Sequence, residues 1–251
     1  MNDSSAALAR LAELDEEALA RPWRWRGGEI DFHYALYNAL EEAQAAYVQA
    51  AGQPHPESRR ILALAQRAFG DLRGLLIGLD AAVLEVQPRP GEWSIGETLR
   101  HIEHVERRYL AGTVYAIERS DSEPIRMPAE RAPSAAPASE AGDLAAHLVR
   151  LAEARAATNH RLGDVAPVAM ERPSIWVRWD VDVRFRLHRF ASHLVEHTVQ
   201  CEKILDALGR RQTEGRRIVR RITAALGELE GLGAGDQARA IEARLGDVSH
   251  L

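Results

Sequence analysis

The spacing of apolar residues is the feature that most limits the fold of this chain. Between Glu57 and Leu84 apolar residues recur at every third or fourth position, which places them on one face of a helix. The same helical pattern runs through nearly the whole chain, and the alternation typical of a strand occurs at most near 174–185. We therefore predict an all-α protein. The apolar stripe of this segment consists of Ile61, Leu64, Ala65, Ala68, Leu72, Leu75, Leu76 and Leu79.

Capping and breaking residues divide this pattern into separate helices. Ser94 followed by Glu97 has the spacing of a capping box and predicts a helix over 94–119. Gly209 ends a helix predicted over 184–208, and the segment 120–142, rich in Pro, Ser and Ala, is typical of an exposed crossover. No internal repeat is evident. The other predicted helices cover 4–20, 29–50, 57–84 and 143–163, with two shorter ones within 212–251 separated by GLGAGD.

Composition and charge exclude several classes of function. Hydrophobic residues make up 46% and charged residues 27% of 251 residues, which are ordinary values for a globular protein. The net charge of −5 argues against nucleic acid as a partner, and we interpret the basic run Arg210–Arg221 as a solvated helix face. No apolar stretch is long enough for a membrane span and no signal peptide is recognisable. We expect a cytoplasmic protein with no membrane partner.

Cysteine usage limits the metal chemistry that is available. Cys201 is the single cysteine, so neither an internal disulfide nor a multi-cysteine metal site can form. It follows His197 by four residues on an apolar face, where we expect a buried small hydrophobe and not a reactive thiol. Any metal must therefore be held by histidines and carboxylates.

Three histidines have helical positions that would let them bind the same metal ion. His193 and His197 lie one turn apart on a flank of the apolar stripe of helix 184–208, whereas His188 lies on the other flank. His101 lies at the edge of the stripe of helix 94–119, and His104 points nearly opposite to it. Three neutral imidazoles suit zinc, nickel or iron and leave open positions for water or substrate. The spacing fits core-edge histidines bonded to carboxylates or backbone equally well.

Other candidate site residues flank these histidines. Glu97 and Glu196 are available as acceptors for the imidazoles or as a general base, although we assign Glu97 primarily to its cap. Trp176, Arg178 and Trp179 lie in the connection 164–183 and are candidates for lining the mouth of a pocket, with plain packing as the alternative.

Two segments of the chain resemble a known family. WSIGETLRH at 93–101 and the later H-x-x-x-H-x-x-Q at 193–200, followed by L-x-x-L-G at 205–209, look like the two signature regions of the DinB-like superfamily. The resemblance covers about residues 57–209. It implies a four-helix bundle in which the histidines matching His101, His193 and His197 bind a divalent metal, often zinc or nickel. Members of the superfamily include thiol S-transferases and a thiol-dependent isomerase.

The resemblance also gives a division of the chain. We predict a helical extension at 1–54 packed on the core, an up-and-down four-helix bundle at 55–209 and a second helical extension at 210–251. His101 and His193 lie at similar depths in their helices, so we expect helices 94–119 and 184–208 to run parallel.

Two functions remain open from the sequence. The first is a metal-dependent enzyme that activates a thiol or a water molecule towards a small-molecule substrate, with a low-molecular-weight thiol as a candidate co-substrate. The second is a non-catalytic bundle with a structural or vacant site that acts through a protein partner or as a homodimer. Trp23 and Trp25 could anchor such a partner, or they could fold back onto the bundle.

Overall fold

The protein is built from α-helices and two short β-hairpins. A computed structural model describes residues 3–134 and 143–248, so residues 135–142 of the predicted crossover lie outside the described residues. The predicted all-α class is confirmed. The helices of the described residues are α1 (Asp3–Ala12), α2 (Glu16–Leu19), α3 (Phe32–Ala51), α4 (Glu57–Leu76), α5 (Ala81–Leu84), α6 (Ile95–Glu118), α7 (Leu144–Leu162), α8 (Pro167–Met170), α9 (Val183–Ala207), α10 (Glu214–Gly231) and α11 (Gly235–Val248), with a 3₁₀ turn at Ala129–Arg131.

Each β-hairpin comes directly before a long helix. Strands β1 (Pro22–Trp25) and β2 (Gly28–Asp31) pair antiparallel ahead of α3, and β3 (Pro173–Trp176) and β4 (Trp179–Asp182) do so ahead of α9. The second hairpin lies where the sequence showed alternation. The first lies in the RPWRWRGG segment, which the apolar pattern left as a linker.

Four helices enclose the first of two hydrophobic cores. Helices α4, α6, α7 and α9 contribute a continuous set of buried side chains, with Leu99, Leu151 and Phe190 fully enclosed. Burial of this apolar surface is the main source of stability in a bundle of this kind.

The course of these helices differs from the up-and-down prediction. His101 lies against His197 and Thr113 bonds to Arg186, so residue numbers rise along α6 while they fall along α9. The two helices are therefore antiparallel, and the prediction that they run parallel is wrong. Helices α6 and α7 run in the same direction, because Glu103 bonds to His147 and the later Glu106 bonds to the later Arg155. The bundle is up, down, down, up.

The antiparallel course of α6 and α9 is possible because both α9 and the crossover are long. The pair His193 and His197 lies past the first third of a 25-residue helix, so an antiparallel α6 can also bring His101 to it. The connection between Glu118 and Leu144 is long enough to return along a helix of about 36 Å, since an extended chain covers about 3.3 Å per residue.

The two ends of the chain together enclose the second core. Helices α1, α3, α10 and α11 bury Leu8, Leu36, Ile222 and Leu245 among others in a separate hydrophobic cluster. Trp23 packs on Phe32 in this cluster, with 5.2 Å between ring centroids. The side chain of Trp25 lies outside the described part of the chain. The three-part domain division stays a prediction, but the segments before 54 and after 210 share one core.

The second bundle repeats the first in a permuted order. This repeat was not predicted from the sequence. The α6 segment GETLRHIE at 96–103 matches GDQARAIE of α11 at 235–242, and ESRRI at the start of α4 matches EGRRI at the start of α10. The hairpins and the helices that follow them also correspond, because the amides of Phe32 and Val183 both bond to an arginine carbonyl eleven residues earlier. The second bundle takes its first two helices from the late part of the chain and its last two from the early part.

Helices α4 and α10 join the two bundles face to face. They run antiparallel, with Gly70 against Thr223 and Gly227 against Gln66, so that each bundle contributes an equivalent glycine to the contact. A side chain at either glycine would overlap a backbone carbonyl, which shows how closely the two helices approach.

Part of the basic run 210–221 is buried at this junction. Arg216 donates to the carbonyls of Leu75 and Ile77 and pairs with Glu13, so the interpretation of the whole run as a solvated face is wrong. Among the described residues, no helix combines the length and the apolar character needed to cross a membrane.

Candidate metal centre

The start of α6 fixes the position of His101. The predicted capping box is present: the Ser94 amide donates to the Glu97 carboxylate at 2.8 Å, and the Glu97 amide donates to the Ser94 hydroxyl at 3.1 Å. The helix therefore begins at Ile95, and His101 follows in its second turn. Glu97, a candidate catalytic residue, has its carboxylate engaged in this cap.

Helix α9 carries the other two histidines. Asp182 caps its first turn by accepting from the Phe185 amide at 2.7 Å. At the other end, Gly209 adopts a φ of 70° and the Arg210 amide donates back to the Leu205 carbonyl, as expected for a helix that ends at a glycine. His193 and His197 are 7% and 6% exposed on the face of α9 that meets α6.

The three imidazoles converge through equivalent nitrogens. Nε2 of His193 lies 3.2 Å from Nε2 of His101 and 3.0 Å from Nε2 of His197. Among the described residues these three form a group whose ligand atoms all lie within 4.8 Å of one another. Three nitrogens bound to one tetrahedral zinc at about 2.0–2.1 Å would be separated by roughly 3.3 Å, so the spacing fits a shared divalent metal. His104 and His188 are not part of the group.

Burial favours the neutral form of His101 and His193. Desolvation, followed by the neighbouring His197 and His101, lowers the pKa of His193 to about 3. Desolvation also lowers the pKa of His101, again with a contribution from His197. Neutral imidazoles offer a lone pair to a metal, whereas imidazolium does not.

Gln200 orients one ligand from outside the cluster. Nδ1 of His197 lies 2.8 Å from Oε1 of Gln200, and an amide oxygen can only accept, so the ring proton is on Nδ1 and the Nε2 lone pair faces the cluster. The sequence contains this residue in the H-x-x-x-H-x-x-Q pattern, three residues after His197. We assigned it no role from the sequence.

An open cleft of about 710 Å³ is lined by residues that contact His101 and His197. Trp93, whose ring centroid lies 5.0 Å from that of His101, lines it together with Gln200 and Glu196. The carboxylate of Glu196 is 63% exposed at the edge of this cleft. Glu196 is thus placed where it can exchange protons with a molecule in the cleft.

Trp176 and Trp179, which were predicted to line the mouth of a pocket, lie in different surroundings from each other. Trp176 packs against Tyr109, with 4.7 Å between centroids, and Tyr109 packs in turn against His193 at 5.3 Å. Trp179 is exposed, and the Arg178 guanidinium lies over its ring. None of the three predicted residues lines the cleft beside Trp93. Tyr109 is a neighbour of the site that the sequence did not reveal.

The second bundle has no counterpart of this cluster. The internal alignment places Glu42, Ala46 and Ala240 where the first bundle has His193, His197 and His101. Glu42 pairs with Arg26 and Arg244, so an ion-pair cluster occupies the corresponding position.

The comparison with protein families agrees with the fold and the site. The model of the DinB superfamily matches residues 64–201, more than half of the chain, and the chain therefore belongs to the DinB superfamily. The matched range contains all three histidines. Searches of curated proteins and of solved structures returned no match.

Proposed function

We propose that this protein is a metal-dependent enzyme that uses zinc or nickel to activate a thiol or a water molecule for attack on a small substrate. The observation that carries this proposal is the convergence of the half-buried His101 with the buried His193 and His197, next to residues that line an open cleft. A structural zinc site is closed by four protein ligands, whereas three protein ligands leave a coordination position open for a substrate. A cytoplasmic location is part of the same proposal.

The bound metal would supply Lewis acidity, which lowers the pKa of a thiol or water ligand towards neutrality. The residues of the chain would orient the metal ligands and accept the released proton. Gln200 holds the ring of His197 in the tautomer that presents Nε2, and burial keeps His101 and His193 unprotonated. Glu196, at the rim of the cleft, is placed to accept the proton that the nucleophile releases.

Superfamily membership and the side chains of the site support different nucleophiles. Membership of the superfamily favours transfer or isomerisation with a low-molecular-weight thiol, while the side chains alone suit hydrolysis equally well. The alternative of a non-catalytic module loses one argument, because Trp23 packs within the second bundle and is not free to anchor a partner.

Metal analysis of single-histidine variants tests the proposal. We expect the purified chain to retain about one zinc or nickel ion after loading and desalting, and His193→Ala and His197→Ala to retain almost none. Gln200→Ala should weaken metal binding by about 10–100-fold, because it removes the hydrogen bond that orients a ligand. His188→Ala on the same helix, and His104→Ala on α6, are the matched controls and should bind like the parent.

The helical signal in circular dichroism separates two readings of that experiment. We expect it to stay unchanged in the histidine variants, since the apolar core and not the metal supplies most of the folding free energy. Variants that bind metal as tightly as the parent would contradict the site. Variants that unfold would show a structural metal and would contradict the open coordination position.

A further inference from the structure

Arg189 is held beside the three histidines by aromatic side chains. It lies one helical turn before His193 on α9, and its guanidinium carbon is 5.2 Å from the centroid of the Trp176 ring. Its charge also acts on Tyr109, whose ring packs on that of His193. These contacts fix a positive charge at the edge of the imidazole cluster.

Most hydrogen-bond donors of this guanidinium have no protein acceptor in the described part of the chain. An arginine has five N–H donors, and Nε of Arg189 is buried without a partner. Its nearest carboxylate, that of Glu196, lies 3.9 Å from Nη2, which is beyond hydrogen-bond distance. The side chain is 27% exposed, so water can satisfy only part of it.

The other arginines of α9 are bound differently. Arg184 makes two hydrogen bonds to Glu57, at 2.6 and 3.2 Å. Arg186 is buried and donates to the Ile175 carbonyl at 3.2 Å, with further contacts to two hydroxyl groups. Arg189 therefore differs from both in having unused donors next to the candidate metal centre.

We propose that Arg189 binds an anionic oxygen group of the substrate while another atom of the same molecule reaches the three histidines. A planar guanidinium fork matches a carboxylate or a phosphate, and such charge-assisted hydrogen bonds are the strong ones. The substrate class is then a small acid that carries a metal-binding sulfur or oxygen atom. Glu196 limits the strength of this binding, because its carboxylate repels the incoming anion. This inference rests on the proposed metal-dependent function.

Thiol acids and their amides test the inference with the intact chain loaded with cobalt(II). The probes are mercaptoacetate, 3-mercaptopropionate and 4-mercaptobutyrate, each compared with its neutral amide, and the readout is the cobalt–thiolate absorption band. For at least one chain length the acid should bind roughly tenfold more tightly than the amide, as expected for a hydrogen bond between charged groups. Equal affinities at all three lengths would overturn the inference.

Variants of the two charged side chains sharpen this test. Arg189→Met should remove the preference for the acid, and Arg189→Lys should keep part of it. Arg161→Met, which removes an exposed arginine of α7 paired with Glu118, is the matched control and should keep all of it. Glu196→Gln should increase the preference by removing the repulsion.

The outcomes separate this inference from the function on which it rests. If the parent binds cobalt but Arg189→Met keeps the full preference, the role of Arg189 is wrong and the metal centre stands. If the parent binds no cobalt, the proposed function fails and this inference fails with it. Should Arg189→Met not fold, the parent titrations and Glu196→Gln decide, because a preference that Glu196→Gln leaves unchanged would contradict the proposed anion site.

Discussion

Burial gives identical side chains different chemistry in this protein. His193 is held neutral by desolvation, while His188 on the same helix is exposed. Helical phase was enough to select the three histidines that converge, because facing the core depends only on the spacing along one helix. Phase could not identify the contact of Tyr109 with His193, which crosses from α6 to α9, or that of Arg189 with Trp176, which lies on a hairpin whose position the local sequence does not determine.

The reactivity of Cys201 follows from the same effect. Its side chain is fully buried, and burial raises the pKa of its thiol to about 12, in agreement with the sequence-based expectation. Because the thiolate is the reactive form, the native protein should show almost no alkylation by iodoacetamide at pH 8, and the protein in denaturant should react at the rate of a free cysteine. Mass spectrometry measures both. Rapid alkylation of the native protein would contradict the burial of this residue.

Helix boundaries could be predicted where a cap marks them, whereas helix directions could not, and the helix predicted over 57–84 ends at Leu76. The capping box at Ser94 marks the start of α6 and Gly209 marks the end of α9, as the sequence indicated, because a cap involves only neighbouring residues. The parallel course of α6 and α7 depends on how the long crossover returns, which no local pattern records. The first hairpin was missed because its second strand, GEID, has a single apolar residue and so does not continue an alternation.

The glycine contact between α4 and α10 makes a prediction about stability. In Gly70→Ala the new methyl group would overlap the Thr223 carbonyl, so the two helices must move apart. We expect a loss of about 1–3 kcal/mol in the free energy of unfolding, measured in urea. The matched control is Gly246→Ala on α11, where a methyl group meets no atom within 4 Å.

That control should be neutral or should stabilise the protein by about 0.5–1 kcal/mol, because alanine is the better helix former. Equal effects of the two substitutions would show that α4 and α10 are not in close contact.

At the scale of the whole molecule, the chain contains two similar bundles, and the candidate site lies in the first. The repeat escaped the sequence inspection because it is permuted: matching segments occur in a different order, so no single offset aligns them. The α4–α10 contact joins positions about 160 residues apart, and such long-range pairing leaves no periodic trace in a sequence. In the second bundle, Glu42 at the position of His193 pairs with Arg26 and Arg244.

This arrangement leads to an expectation about association, on which the sequence left a homodimer open. The glycine face of α4 is already covered by α10 of the same chain, so a second copy would have to bind elsewhere. We expect light scattering to give a concentration-independent mass of 27.8 kDa. Gly227→Leu places a side chain against the Gln66 carbonyl and should expose both faces, so that the mass rises with concentration, while Gly246→Leu should remain monomeric. A dimer of the unaltered chain would show that a surface other than the α4–α10 contact mediates association.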